Sequence, residues 1–194
     1  MTDAPPPERP ARLPGRLRFD WSVLAAVIAT LVGLLALGVS AYTADLQRKQ
    51  VRAQVWPRLI LAWSGVRHEF IVMNKGVGPA LVGSARFYVD GVAQKDWKAV
   101  SRALLGEPFA AGQYSQSTIS EWIVAPGEQL TVLQVSDDAL WQRFRSEMPR
   151  LRGRICFCST LQECWIVDQT AQTREASYRA AVSCERNEAE EFNE

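Results

Sequence analysis

Four cysteines, Cys156, Cys158, Cys164 and Cys184, fall within the last 39 of 194 residues. Three chemistries suit such a cluster: disulfide bonding, metal ligation and thiol redox exchange. Residues 150–159 read as a strand. Alternation puts Leu151, Gly153, Ile155 and Phe157 on one face and Arg150, Arg152, Arg154, Cys156 and Cys158 on the other. Four cysteines allow three pairings. Joining Cys156 to Cys158 is poor, because residues two apart in a strand sit about 6.5 Å apart with parallel Cβ directions. Cys158 and Cys164 flank a five-residue loop, so a bond between them staples a hairpin. Cys156 then pairs with Cys184 and pins the C-terminal strand. We prefer that pairing. Zinc is the sharper alternative, but Cys-x-Cys lacks the usual spacing of structural zinc ligands. There is no Cys-x-x-Cys for a thioredoxin-like site. No metal and no cofactor is expected.

Arginine supplies the second cluster. Arg143, Arg145, Arg150, Arg152 and Arg154 lie within twelve residues, with Trp141 and Phe144 interleaved. A charge run usually marks a solvated face, here a helix end followed by the outer side of a strand. The functional reading is a contact for anionic headgroups, an acidic glycan or a partner's acidic patch. Residues 185–194 carry five Glu and one Arg, and folding back onto the arginines would neutralise both. Net charge is +1, which gives no case for nucleic-acid binding.

Catalysis finds little material. A Ser-His-Asp or Cys-His arrangement would have to use His68, the one histidine, and neither Gly-x-Ser-x-Gly nor His-Glu-x-x-His is present. Asp137 and Asp138 are explained by helix capping. Asp90-Gly91 is a tight-hairpin dipeptide. The most distinctive motif is Asn74-Lys75-Gly76-Val77-Gly78-Pro79-Ala80. No helix and no Lys-Ser or Lys-Thr pair follows it, so it does not read as a phosphate loop. We read it as a structural turn or bulge with positive φ, followed by a restarted strand.

The elements that must position these residues begin with 21–42, which has no charge over 22 positions. As a helix it reaches about 33 Å, enough to cross a hydrocarbon core of about 30 Å. Phe19, Trp21 and Tyr42 sit where interfacial aromatics belong. Residues 1–20, rich in Pro and Arg, read as a disordered cytoplasmic tail. Arg16 and Arg18 lie closer to the apolar run than Arg48, and long domains translocate largely regardless of charge. Both points favour a cytoplasmic N-terminus, an inner-membrane anchor and an extracytoplasmic C-terminal domain. A cleaved signal peptide is the competing reading, with Val39-Ser40-Ala41 as its site. Ala25, Ala29 and Gly33 recur every fourth residue, a face that admits a homodimer. Residues 43–56 continue as a helical stalk that Pro57 ends.

From 57 to 184 the periodicity shortens. Apolar runs at 59–63, 70–73, 80–82, 85–89, 118–124, 129–135, 151–159, 164–168 and 177–184 read as strands, and residues 92–93 begin the return strand of the Asp90-Gly91 hairpin. Helices are expected at 97–105 and, capped by Ser136 or Asp137, through about 148, and residues 107–117 read as loop. This pattern is mainly β: an antiparallel β-sandwich with two short helices, with a small partly open β-barrel as runner-up. The acidic residues 185–194 read as a disordered tail.

The Asn-x-Gly-x-Gly-Pro-Ala segment, with Tyr88, Asp90 and Gly91 downstream, resembles the B–C region of immunoglobulin-like domains on bacterial envelope proteins. The cell-adhesion-related bacterial domains are one such group. Together with Cys158-Ser159 and Cys164-Trp165 it also resembles a set of uncharacterised bacterial single-pass membrane proteins. The resemblance covers about half the soluble domain, implies the immunoglobulin-like fold and transfers no ligand site. The expectation is an anchored binding or scaffolding module without catalysis, acting on another envelope protein. The alternative is an accessory or sensory subunit of an envelope enzyme or transport complex, with a small-ligand pocket in the β domain.

Overall fold

The computed structural model describes residues 20–193. The expected N-terminal tail, apart from Asp20, lies outside the described residues. The chain divides into two compact units between Gln47 and Arg48.

The first unit is helical. Helix α1 (Trp21–Gln54) runs for 34 residues. Asp20 starts it: its carboxylate accepts from the Ser22 hydroxyl, and its carbonyl accepts from the Val23 amide at 3.0 Å. The hydroxyls of Thr30 and Thr43 donate to carbonyls four residues back, at 2.8 Å each, so neither is left unpaired on the apolar segment. The helix is long and apolar enough to cross a membrane, and none of its residues is buried.

Among the described residues the second unit holds ten strands, all paired antiparallel. One sheet has the order β1 (Leu59–Ser64), β2 (Glu69–Asn74), β7 (Gln129–Val135), β5 (Tyr114–Gln116). The other has the order β10 (Tyr178–Ala181), β9 (Cys164–Asp168), β8 (Leu151–Cys158), β3 (Ala80–Val89), β4 (Val92–Gln94), and β6 (Ile123–Val124) also pairs with β3. Strand β2 is buried along most of its length, whereas β3 and β8 largely alternate. One apolar core joins both sheets: Leu59, Phe70, Val72 and Leu133 meet Val82, Phe87, Ile155 and Phe157.

Two short helices complete that core. Asp96 caps α2 (Trp97–Leu105) by accepting from the Ala99 amide at 2.7 Å, and Gly106 closes it at φ 80°. Asp137 caps α3 (Asp138–Glu147) through the Leu140 amide at 2.7 Å. Helix α2 buries Trp97, Val100 and Leu104, and α3 buries Leu140, Trp141 and Phe144. A 3-10 turn (Met148–Arg150) leads into β8.

Three expectations change. The fold is mixed rather than mainly β: four α-helices lie among the described residues, including the short α4 (Arg174–Ser177). The stretch 107–117 is not all loop, because β5 pairs there with β7. Residues 185–193 are not a free acidic tail either. Phe192 is fully buried, 4.7 Å from the Phe87 ring and 5.1 Å from Trp97. Its amide donates to the Ala85 carbonyl at 3.0 Å. Glu191, 2% exposed, accepts from the Ala85 amide at 2.8 Å and the Ser84 hydroxyl at 3.1 Å. One aromatic side chain among the acids is enough to anchor the segment, because burying a phenyl ring contributes roughly 2–3 kcal/mol.

Candidate functional site

Strand register builds the outer face of the larger sheet row by row. Ser84 on β3 faces Cys156 on β8, which faces Ile166 on β9, which faces Arg179 on β10. In the next row Arg86 faces Arg154, and Arg154 faces Asp168. Tyr88 faces Arg152 beyond that. At the other end Cys158 faces Cys164. The alternation that sends Ala85, Phe87, Ile155 and Phe157 into the core sends these residues outward.

The cysteines form two disulfides, Cys156–Cys184 and Cys158–Cys164, and no cysteine is free. The sulfurs of Cys158 and Cys184 are 3.6 Å apart, so the two bonds form one hub. With all four thiols bonded to one another, the cluster holds no thiolate for a metal. Cys184 ties the C-terminal segment to β8, and from there the segment crosses to β3.

Arg86 facing Arg154 is a like-charge pair, destabilising unless compensated. Carboxylates compensate it. Arg154 donates to Asp168 at 2.7 Å, and Arg86 lies 3.3 Å from Glu190 and 3.5 Å from Glu191. Burial alone would raise the Asp168 carboxyl, but hydrogen bonds from Thr170 and Arg154 outweigh it and hold it below its ordinary 3.8. Burial, together with the neighbouring Glu190, pushes the Tyr88 phenol above 10.0. Between this face and the C-terminal segment lies a cavity of about 360 Å³, walled by Arg86, Arg154, Arg179, Arg186, Ser183 and Asn187 among others.

The five arginines singled out by their spacing do not converge. Arg143, on α3, pairs with Glu107 at 3.1 Å. Arg145 lies beside Gly65. Arg150 binds Asp90 at 3.0 Å and Glu147 at 2.9 Å, and both pairings hold its guanidinium strongly protonated. Arg152 is exposed and donates to its neighbour's carbonyl. Only Arg154 reaches the cavity. The acidic segment meets Arg86 instead of covering the run at 143–154. Sequence reasoning passed over Arg86, Arg179 and Arg186. For Arg86 a signal existed, since Ser84, Arg86 and Tyr88 alternate with Ala85, Phe87 and Val89.

The Asn74 motif is a clamp. Its side-chain oxygen accepts from the Arg58 amide at 3.0 Å and the Gly76 amide at 2.9 Å. Its side-chain nitrogen donates to the Gly78 carbonyl at 2.8 Å and the Val124 carbonyl at 3.0 Å. The expected positive φ is absent at Gly76 and Gly78. These glycines serve close approach: a Cβ on Gly76 would meet the Trp56 carbonyl oxygen at 2.4 Å, and one on Gly78 the Val55 oxygen at 2.1 Å. Pro79, half-buried, leads into β3. At the β3–β4 hairpin, Asp90 and Gly91 do adopt positive φ, 49° and 82°, as a two-residue turn requires.

His68 takes no part in either site. It lies 3.2 Å from Asp138 and stacks at 5.5 Å on Trp141. No family model, curated protein or solved structure matches this chain. Function is therefore read from geometry.

Proposed function

We propose that the chain is a single-pass membrane protein displaying a non-catalytic, immunoglobulin-like β-sandwich outside the cytoplasm as a binding or scaffolding module. In this reading residues 21–42 cross the inner membrane, the N-terminus is cytoplasmic, and the partner is another envelope protein. The observation that carries it is the outer face of the larger sheet, where charged and polar side chains gather at an open cavity. The two disulfides support export, since such bonds persist in oxidising compartments. Packing of His68 between Trp141 and Asp138 supports a non-catalytic role. Crosslinking in intact membranes, followed by affinity capture of the full chain, tests the reading. The expected result is one envelope protein captured specifically. Capture of nothing, or a C-terminal reporter active only in the cytoplasm, overturns it.

A second reading has its own support. A cavity of about 360 Å³ with arginines on several walls suits an accessory or sensory subunit that takes a small ligand. In that case the captured partner is an enzyme or transport complex, and its activity changes when the anchored domain is removed.

A further inference from the structure

We propose that the cavity under the C-terminal segment is a binding site for a small polyanion bearing carboxylate or phosphate groups. Arg86, Arg154, Arg179 and Arg186 are its donors. The inference rests on the second reading above.

Four guanidiniums come from four parts of the chain: β3, β8, β10 and the C-terminal segment. Convergence of this kind is not a property of one charge run. Each of the paired arginines has its carboxylate: Glu190 and Glu191 for Arg86, Asp168 for Arg154, Glu121 for Arg186. None of those four carboxylates lines the cavity. Glu185 is the one acidic residue on its wall, against the four arginines. The ion pairs therefore hold three of the guanidiniums in place at the wall, with their unused N–H donors available to a ligand, and the uncompensated charge on the wall is that of Arg179. Arg179 is exposed and forms no ion pair among the described residues.

Donor geometry also fits. Arg154 directs Nε and Nη2 to a single oxygen of Asp168, at 2.7 Å each, and Nη1 is left over. A guanidinium offers five N–H donors in a planar fork, so one carboxylate partner does not exhaust it. Ser183 and Asn187 add neutral polar groups at the rim. The Cys156–Cys184 bond ties the segment carrying Arg186 and Asn187 to the sheet, which pre-organises the cavity and lowers the entropy cost of binding. The volume, about 360 Å³, admits a small molecule and excludes a folded chain.

Titration calorimetry on the full chain in neutral detergent tests this, with inorganic phosphate and citrate as separate probes. Binding of either supports the proposal, and the tighter probe names the anionic group. Arg179→Gln removes a donor that holds nothing else in the fold, and it is expected to weaken binding about tenfold. Arg154→Gln is expected to do the same or more. If that variant unfolds by stranding Asp168, Arg179→Gln alone decides. Arg143→Gln, away from the cavity, should leave affinity unchanged. Binding of neither probe overturns the proposal, as does unchanged affinity in Arg179→Gln. Equal weakening by Arg143→Gln overturns it too, since that marks a diffuse field. A chain that binds a probe but captures no complex keeps the site and refutes the reading beneath it. One that captures a complex and binds no anion does the reverse.

Discussion

The Asn74 clamp and the arginine-walled cavity use polar groups in opposite ways. At the clamp, the Asn74 amide is consumed by four main-chain partners, and two glycines touch backbone with no space for one carbon. At the cavity, arginines surround about 360 Å³ of open volume while their carboxylate partners stand off the wall. The compact, recognisable motif is the closed structural one. The open region is assembled from residues as far apart in sequence as Arg86 and Arg186. Saturated donors and absent volume indicate structure; donors in excess around a cavity indicate recognition.

Breaking the clamp should have the largest effect. Gly78→Ala places a Cβ about 2.1 Å from the Val55 carbonyl oxygen, where no flexible side chain can yield. A loss of at least about 3 kcal/mol is expected, or failure to fold. Urea unfolding of the full chain in neutral detergent, followed by tryptophan fluorescence, measures it. An unchanged midpoint would mean that the clamp is slack and the contrast false.

Next in size is the bond that holds the other region together. Cys156 and Cys184 are 28 residues apart, and Cys158 and Cys164 six. Loop-closure entropy assigns about 3–4 kcal/mol to the first and about 2 kcal/mol to the second. The double variant Cys156→Ala/Cys184→Ala should therefore lower the unfolding midpoint more than Cys158→Ala/Cys164→Ala. It should also make the segment after Cys184 more open to proteolysis, and unchanged protection would mean that Phe192 and Glu191 alone keep it docked. The reverse order of midpoints would show that strand pairing, not the cross-link, holds the segment.

Acid should loosen the cavity wall and spare the clamp, whose hydrogen bonds join the Asn74 amide to main-chain groups. The folded-state pKa of Asp168 lies below its ordinary 3.8. Its contribution is therefore present above that value and is lost as pH falls through the lowered pKa. Asp168→Asn should be less stable than the parent at neutral pH, and the gap should narrow below about pH 4. Denaturation midpoints at a series of pH values read this out. A gap that stays constant in acid would assign the effect of the substitution to packing.

The sequence made short-range features visible and hid long-range ones. Asp96, Asp137, Gly106 and the Asp90-Gly91 turn act within a few residues, and each sits where its local chemistry requires. Outward alternation on β8 was readable for the same reason. The pairing of β3 with β8 was not, because nothing near Arg86 says that Arg154 will face it. The C-terminal segment misled through composition: its acids suggest solvation, while Phe192 and Glu191 find partners about a hundred residues earlier. At Gly76 and Gly78 the residue type was read correctly and its reason was not. Glycine there answers a neighbouring chain whose approach is invisible from the motif itself.

The smallest expected effect isolates the site from the charge run that shares its arginine. Arg143 and Arg154 belong to the same twelve-residue cluster in sequence. In the fold Arg143 stands on α3 with Glu107 at 3.1 Å, both side chains more than half exposed. Such a pair gains little over water and is screened by salt, so Arg143→Gln should shift stability by no more than about 0.5 kcal/mol. Added salt should remove even that difference. If the shift instead exceeded the effect of Arg154→Gln, the run itself would be the stabilising unit, and spacing along the chain would count for more than convergence in space. A near-zero shift assigns the density of arginines in sequence to two different jobs, one on a solvated helix and one at the cavity wall.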